Sequence, residues 1–416
     1  MTKTSDPQVT VNEGAEDPLP PVKGTLRRLL GWIIPANISI FLIWGAVPGL
    51  LLPLQLTAID PADKVVNLLV ISTVGAFAAM IAQPIAGLVS DRTRSRFGRR
   101  AQWMVGGTIV GGLALIGMAL GNGVVQIAYN FTQGPLSAIL PDRVPRSARG
   151  TFSALAGMGA MVGALGGQVV GSLFAKNIPA GYVFFAGFAF VVIGLFVVFN
   201  RDHSSKELDR EPFSLSVFLH TFWVSPIKHP DFFWAFLGRL LLYTGYFAVT
   251  GYQLYILADY IGLGTEKAAA SVPLFGITSL VGIILAIVVS GPLSDRLGRR
   301  KIFVFVSSVT VALAMIIPIV SPTFTGWLIF AFISGLGFGA FQAVDQALMS
   351  EVLPSASSFA KDLGVVNIAA TLPQTIAPAV AGFVILTFGG YVALFPIGIV
   401  LSILGAFAVW FIKAVK

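Results

Sequence analysis

The chain is built from stretches of about twenty apolar residues separated by short polar loops. An α-helix needs about 20 such residues to cross the roughly 30 Å hydrocarbon core of a bilayer. Charged residues make up only 11% of the 416 residues, whereas a soluble domain carries about 25%. So few charges cannot cover the surface of a soluble protein of this size. We therefore predict an all-α integral membrane protein with twelve helices, at 31–56, 65–90, 101–121, 124–142, 150–175, 181–200, 231–257, 268–293, 301–321, 325–351, 363–388 and 390–413.

The positions of Lys and Arg predict how these helices are oriented. Cytoplasmic loops carry an excess of both residues, and placing the amino terminus inside assigns 23 of the 27 to cytoplasmic segments. The outer loops then hold Lys64, Lys176 and Lys267, and Arg239 alone falls inside a helix. An odd number of helices would remove this asymmetry. We therefore predict a multi-pass protein of the cell membrane with both termini in the cytoplasm.

Residue content excludes several kinds of site. The chain has no cysteine, which excludes disulfides, thiolate metal sites and cysteine nucleophiles. The three histidines (His203, His220 and His229) lie between the sixth and seventh predicted helices, so a histidine proton relay within the membrane is excluded. We find no set of nucleophile and base within the helices, and we predict no metal site, no cofactor and no enzymatic activity. The net charge of +8 lies in short loops, so we predict no nucleic-acid partner.

Two polar segments divide the chain. Residues 1–24 contain four acids and lack the apolar core of a signal peptide, so we predict a disordered cytoplasmic tail. Residues 201–230 form the longest polar stretch after the tail, and we predict a cytoplasmic linker whose middle lies along the membrane surface. The remaining segments, 25–200 and 231–416, each hold six predicted helices.

These two halves repeat each other in sequence. The second helix is followed by GLVSDRTRSRFGRR at 87–100, and the eighth by GPLSDRLGRR at 291–300. A second pair of motifs, Q-x8-[DE]-x2-P, begins at Gln133 and at Gln342 near the ends of the fourth and tenth helices. Two motif pairs in the same order indicate duplication of a six-helix unit, as in many membrane carriers. The segment from Arg100 to Gln133 is shorter than its counterpart, which predicts a very tight turn between the third and fourth helices.

The charged loop after the second helix and its echo after the eighth resemble the major facilitator superfamily over residues 25–416. The longer form DRTRSRFGRR, with Trp103 soon after and LPDRVP at 140–145, is similar to the glycoside–pentoside–hexuronide cation symporters and to sucrose-type proton symporters. The resemblance implies two six-helix bundles around a central cavity that opens alternately to each side. Melibiose-type members carry cation-binding carboxylates in the second helix, whereas the first and second helices here contain no acid. This difference argues against a sodium site of that kind.

The repeated loops predict a cytoplasmic gate. Carboxylates at the inner ends of helices can face the positive end of a neighbouring helix and bond Arg from the adjoining loop. The resemblance implies that such contacts hold the halves shut on the cytoplasmic side; the alternative is that the Arg residues only orient the chain. The predicted gate residues are Gly87, Asp91, Arg92, Gly98, Arg99, Arg100 and Asp142 in the first half, and Asp295, Arg296, Arg299, Arg300 and Glu351 in the second.

Two ionisable residues lie well inside predicted helices. Arg239 in the seventh helix and Asp345 in the tenth are each eight or nine residues from the inner end, which places both roughly 12 Å deep. Charged groups there usually face a cavity or one another. A carboxylate that pairs with Arg in one conformation and is released in another changes its proton affinity during the cycle. We predict that this pair couples transport to protons; the alternative is a static structural ion pair.

Polar side chains recur at helical spacing in the same region. A polar stripe that faced lipid would leave amide groups unpaired, so these side chains line a cavity or bond across helices. The predicted substrate-cavity residues are Trp44, Asn130, Gln133, Tyr243, Tyr246, Gln253, Gln342, Gln346, Asn367 and Gln374.

Three functions fit this pattern. The first is proton-coupled symport of a sugar or glycoside by alternating access. The second is a proton antiporter of the same superfamily that exports drugs or metabolites. The third is a lipid scramblase or a membrane protein without transport activity. We expect a monomer in the lipid bilayer whose partners are a small-molecule substrate and protons.

Overall fold

The computed structural model describes residues 23–119, 126–145, 148–201, 205, 228–352 and 359–413. We number its long helices α1 to α12 and count each short continuation with the helix that it extends. In the first half they are α1 Lys23–Ala46, α2 Lys64–Arg92, α3 Ala101–Ala119, α4 Gln126–Ser137, α5 Arg149–Leu173 and α6 Ile178–Phe199. In the second half they are α7 Pro230–Thr250, α8 Thr265–Leu297, α9 Arg300–Ala314, α10 Phe324–Glu351, α11 Phe359–Phe388 and α12 Leu394–Ala408.

Several helices continue past a break in their hydrogen bonding. A π-helical turn at Val47–Leu51 joins α1 to a further helix at Leu52–Ile59, and Pro48 at the start of that turn removes a backbone donor. In the second half α7 continues through Gln253–Tyr255 into a π-helical turn at Ile256–Tyr260. Because α1 and α7 hold the same position in the two halves, corresponding helices are interrupted towards the same end. The other continuations are Ile139–Arg143 after α4, Ile317–Val320 after α9, and Tyr391–Ala393 and Val409–Phe411 around α12.

Ten helical segments in the described residues are long and apolar enough to cross a membrane. The two helices that fall short are α4, whose 12 residues follow a segment outside the described part of the chain, and α11, whose apolar part is Leu372–Phe388. The predicted all-α membrane fold is confirmed, and the helix bounds differ from the prediction by a few residues at most ends. The largest difference is at α1, which begins at Lys23 instead of residue 31.

The packing of the helices repeats between the halves. In the first half α1 packs on α5 and α6, α3 packs on α4 and α6, and α2 packs on α4. The corresponding pairs in the second half, α7 with α11 and α12, α9 with α10 and α12, and α8 with α10, are packed in the same way. This correspondence defines two six-helix bundles of one design, as the repeated motifs predict.

We call the end of the molecule near Arg100 and Arg300 the inner end, because the sequence predicts it to face the cytoplasm. The opposite end, near Lys64 and Lys176, is the outer end.

The halves pack against each other along two seams, α2 with α11 and α5 with α8. The two seams are equivalent, because α2 corresponds to α8 and α5 to α11 in the repeat. Close approaches at these seams, Gly382 against Leu69 and Gly276 against Gln168, lie in the outer half of the molecule. The structure therefore shows the halves in contact on the outer side.

Some sequence predictions fall outside the described residues. They concern the tail up to residue 22, the linker at 202–204 and 206–227, and the tight turn at 120–125. The side chains of Asp295, Gln346, Glu351 and Asn367 also lie outside the described part of the structure.

Candidate functional site

The buried ion pair joins α7 to α10 within the second half. Arg239 Nε lies 3.2 Å from Asp345 Oδ2, and the two side chains are 3% and 2% exposed. The residues reach this position because α7 and α10 come into contact and the sequence places the two groups at similar depth. Removing both charges from water is costly, so the pair persists only because each ion offsets the other.

The two side chains are close but poorly aligned. Within the described part of the chain, Arg239 Nε and Nη1 and Asp345 Oδ2 make no hydrogen bond of normal geometry. The guanidinium also lies over the ring of Tyr243, 5.4 Å from its centroid, where the negative face of the ring attracts it. A misaligned pair with unused donors and acceptors is less tightly held than a bidentate one, so it is a suitable group for a change of partner.

The tyrosines of α7 belong to an aromatic cluster that also includes residues of α10. The rings of Tyr246 and Phe338 stack with their centroids 4.5 Å apart, and Tyr243 packs against Phe338 and Phe341. The Tyr246 hydroxyl lies 3.5 Å from Ser279 Oγ of α8. In this conformation both tyrosines are therefore buried between helices of one half, and their role in a substrate cavity stays a prediction.

The other predicted cavity residues differ in exposure. Gln342 and Gln374 are exposed, Trp44 and Gln133 are half-buried, and Asn130 and Gln253 are buried. Among the described residues, Gln133 Oε1 and Gln253 Oε1 are buried without a hydrogen-bond partner. An unsatisfied buried amide oxygen costs free energy, and a polar solute or a water molecule would lower that cost. These two oxygens are thus candidate contacts for a polar ligand.

A network of charged side chains lies at the inner end of the first half. Arg99 Nη2 and Arg100 Nε donate to the two carboxylate oxygens of Asp142 at 2.5 and 2.7 Å. Arg100 also pairs with Asp91 and donates to Ser90 Oγ at 2.5 Å. The guanidinium of Arg100 is almost fully buried and joins the end of α2 to the end of α4. Every one of these contacts lies within one half.

The backbone of the inner loops supports this arrangement. Gly98 and Gly298 have φ of 85° and 59°, a left-handed conformation that side-chain-bearing residues rarely adopt. Trp103 Nε1 donates to Thr93 Oγ1 at 2.6 Å, which ties α3 to the loop. Gly87 has open space around it and Arg92 is exposed. In the second half Arg296 and Arg299 are exposed and Arg300 is half-buried.

Sequence reasoning missed a second set of contacts at the outer end. Lys64 of α2 pairs with Asp259 at 2.6 Å, and Lys176 pairs with Glu266 of α8 at 2.8 Å. Both pairs join the two halves. The sequence shows each outer Lys only as a mark of orientation, because no pattern links it to an acid that lies 90 or 195 residues further along the chain.

The fold defines an all-α membrane protein built from two repeated six-helix bundles. The model of the Major Facilitator Superfamily matches residues 33–291 and 274–416, so the chain belongs to that superfamily and is a transporter of its fold. A curated relative, the MFS transporter asaE of Aspergillus flavus, is 30% identical over 131 residues. That alignment covers 32% of this chain and 28% of the relative, so the chain spans under a third of the relative's length.

Solved structures of transporters share the fold over nearly the whole chain. The nucleoside transporter NupG matches with a TM-score of 0.72 and 16% identity, over 92% of this chain and 99% of its own. A D-xylose-proton symporter matches with a TM-score of 0.64 and 16% identity, over 94% and 97%. A POT family transporter in complex with 5-aminolevulinic acid matches with a TM-score of 0.69 and 15% identity, over 92% and 95%. At such identities the likeness describes the fold alone.

Proposed function

We propose that this transporter couples the movement of protons to the import of a small polar solute of the sugar or glycoside class. The observation that carries the coupling is the buried ion pair of Arg239 and Asp345. Asp345 is the one acid well inside a described helix that pairs with a buried Arg. The resemblance of the loop at 91–100 to glycoside cation symporters supports the same class.

Proton coupling follows from an exchange of partners. With Arg239 beside it, the Asp345 carboxylate is stabilised in its charged form, and without Arg239 burial favours the protonated form. A small shift of α7 relative to α10 would separate groups that are already poorly aligned. The carboxyl then binds a proton in one conformation and releases it in the other, which links proton movement to the transport cycle.

The substrate class rests on polar groups that have unused hydrogen-bonding capacity. The buried amide oxygens of Gln133 and Gln253 can accept bonds from hydroxyl groups, and the exposed amide of Gln342 can donate and accept. Trp44 offers an aromatic face for a sugar ring. Two transporters of the same fold are described as carrying a nucleoside and D-xylose, and both solutes are rich in hydroxyl groups.

The inner charge network supports a gating role for the loop after α2. Arg100 holds the ends of α2 and α4 together through Asp91, Ser90 and Asp142. A rigid inner end lets the six helices of this half move as one body, which alternating access requires. We propose that Asp142 fixes this body and that the exposed Arg residues of both loops contact the opposite half when the inner side closes.

The test uses purified protein in proteoliposomes that contain a pH-sensitive dye. A thermal-shift screen of monosaccharides, glycosides and nucleosides first identifies a solute that stabilises the protein. Adding that solute outside should acidify the lumen as protons enter with it. Asp345→Asn should abolish accumulation driven by a pH gradient and leave counterflow exchange intact, because exchange needs the substrate site but no net proton movement.

Asp63→Asn is the matched control, since it makes the same chemical change at an exposed acid. It should leave both activities unchanged. If Asp345→Asn still accumulates solute against its gradient, another group carries the proton. Alkalinisation of the lumen on addition of solute would instead indicate proton antiport and export.

A further inference from the structure

An ion pair that the proposed function does not use lies at the outer end, where the two halves meet. Lys64 is the first residue of α2, and its Nζ lies 2.6 Å from Asp259 Oδ2 in the π-helical turn after α7. The two side chains are 16% and 36% exposed, so water screens this pair less than a surface pair. The Tyr391 hydroxyl donates to the same Oδ2 at 2.8 Å, which holds the carboxylate in position.

A second residue of the same segment crosses between the halves. The Tyr255 hydroxyl donates to the backbone oxygen of Pro53 at 3.1 Å, in the continuation of α1. Its ring faces the Lys64 ammonium, whose nitrogen lies 5.0 Å from the ring centroid. An ammonium over an aromatic face is attracted by the ring quadrupole. The same lysine is thus held by a carboxylate and by a ring, both from the opposite half.

The bond from Tyr255 to Pro53 joins the interrupted parts of α1 and α7. The turn at Val47–Leu51 packs against Gln253–Tyr255 across the seam. A π-helical turn is a common site of bending and function in helices. Tyr255 and Asp259 therefore lie on a segment that can change direction without a change in the rest of its bundle.

The Lys176–Glu266 pair provides an internal comparison. It also joins the halves at the outer end, but its side chains are 83% and 78% exposed. The hydrogen bond and the charge of Glu266 raise the pKa of the Lys176 ammonium. Exposed pairs of this kind contribute little to stability because solvent and salt screen them.

We propose that Lys64, Asp259, Tyr255 and Tyr391 form a latch that holds the outer side of the transporter closed and must open before a solute enters from outside. The exposed Lys176–Glu266 pair is not part of it. The proposal goes beyond the proposed function, because it concerns the balance between conformations and requires neither a particular substrate nor proton coupling.

The latch can be tested without any transport assay. The chain has no cysteine, so a pair of spin labels can be attached at Leu173→Cys and Val320→Cys without first replacing any native cysteine. Both positions are exposed and lie at the outer ends of different halves. Distances between the labels in lipid nanodiscs report the ratio of open to closed outer sides.

Lys64→Gln and Asp259→Asn should each raise the ratio of open to closed molecules by roughly threefold to tenfold, because a partly buried charge-assisted contact is lost. Lys176→Gln should leave the ratio unchanged. The double exchange Lys64→Asp with Asp259→Lys should return the ratio towards that of the parent. Two outcomes would overturn the proposal. One is that Lys64→Gln and Lys176→Gln give the same distribution of distances between the labels. The other is that the double exchange is as open as either single variant.

Two hydroxyl deletions keep the test decisive if a charge variant does not fold. Tyr255→Phe removes the hydroxyl that bonds across the seam to the backbone oxygens of Pro53 and Lys64, and it should raise the open fraction. Tyr260→Phe removes a bond from the same turn to Pro318 in the same half, and it should not change the fraction. If both tyrosine variants behave alike, the crossing bond does not hold the outer side closed.

Discussion

At the scale of single residues, the buried pair in α7 and α10 depends on both of its members. Arg239 and Asp345 are almost fully buried, so removing either leaves an unpaired charge in a medium of low polarity. Breaking such a pair costs about 3–5 kcal/mol, whereas replacing both ions with apolar groups is often neutral or stabilising. The pair therefore offers a way to separate structural from functional roles.

We expect Arg239→Met to lower the thermal stability of the purified protein strongly, because Asp345 is left without its counter-charge. The double variant Arg239→Met with Asp345→Leu should recover most of that stability yet carry no proton-driven accumulation. Thermal unfolding in detergent followed by tryptophan fluorescence measures the first effect, and proteoliposomes measure the second. A double variant that accumulates solute would show that the pair is structural alone.

The sequence predicts part of this site. Because Arg239 and Asp345 lie at equal depth in two helices, their pairing follows from helix geometry. The positions of Tyr243 and Tyr246 at helical spacing predict that they share a face. What that face contacts is not predictable, since the spacing is the same whether the partners are water or the rings of Phe338 and Phe341. The outer latch was missed because it depends on tertiary contacts between single charges.

At the scale of helices, apolar runs predict the existence of the spans well and their interruptions poorly. Pro48 gives a local reason for the break in α1, but no Gly or Pro lies within Ile256–Tyr260, and that turn is fixed by packing. The seams between the halves depend on small residues. A Cβ added at Gly382 would lie 2.1 Å from Leu69 Cδ1 and 2.6 Å from its Cβ, so α11 can approach α2 only because this position has no side chain.

We expect Gly382→Val to separate α2 from α11 and to raise the open fraction of the outer side, measured with the same spin labels at Leu173→Cys and Val320→Cys. Gly291→Val in α8 is the matched control, because a Cβ at Gly291 would meet no atom within 4 Å. An unchanged distance distribution in Gly382→Val would mean that the neighbouring side chain moves aside and that this seam does not limit opening.

At the scale of the whole molecule, the charged residues serve the two ends differently. The Arg and Asp residues of the first inner loop bond within one half, which stiffens that bundle. At the outer end the described ion pairs join the two halves. In an importer the solute enters from outside the cell. The latch can control that entry only if the outer end of the molecule faces outward. The orientation of the chain in the membrane therefore links the latch to the direction of transport.

The excess of Lys and Arg at the inner end predicts that this end faces the cytoplasm. In intact cells, a membrane-impermeant maleimide should label Leu173→Cys at the outer end of α5 and should fail to label Phe97→Cys in the loop after α2. Both side chains are exposed, so a difference in labelling reports the side of the membrane and not burial. Permeabilised cells provide the control, because both positions should then react. The reverse pattern would place the latch on the cytoplasmic side of the membrane.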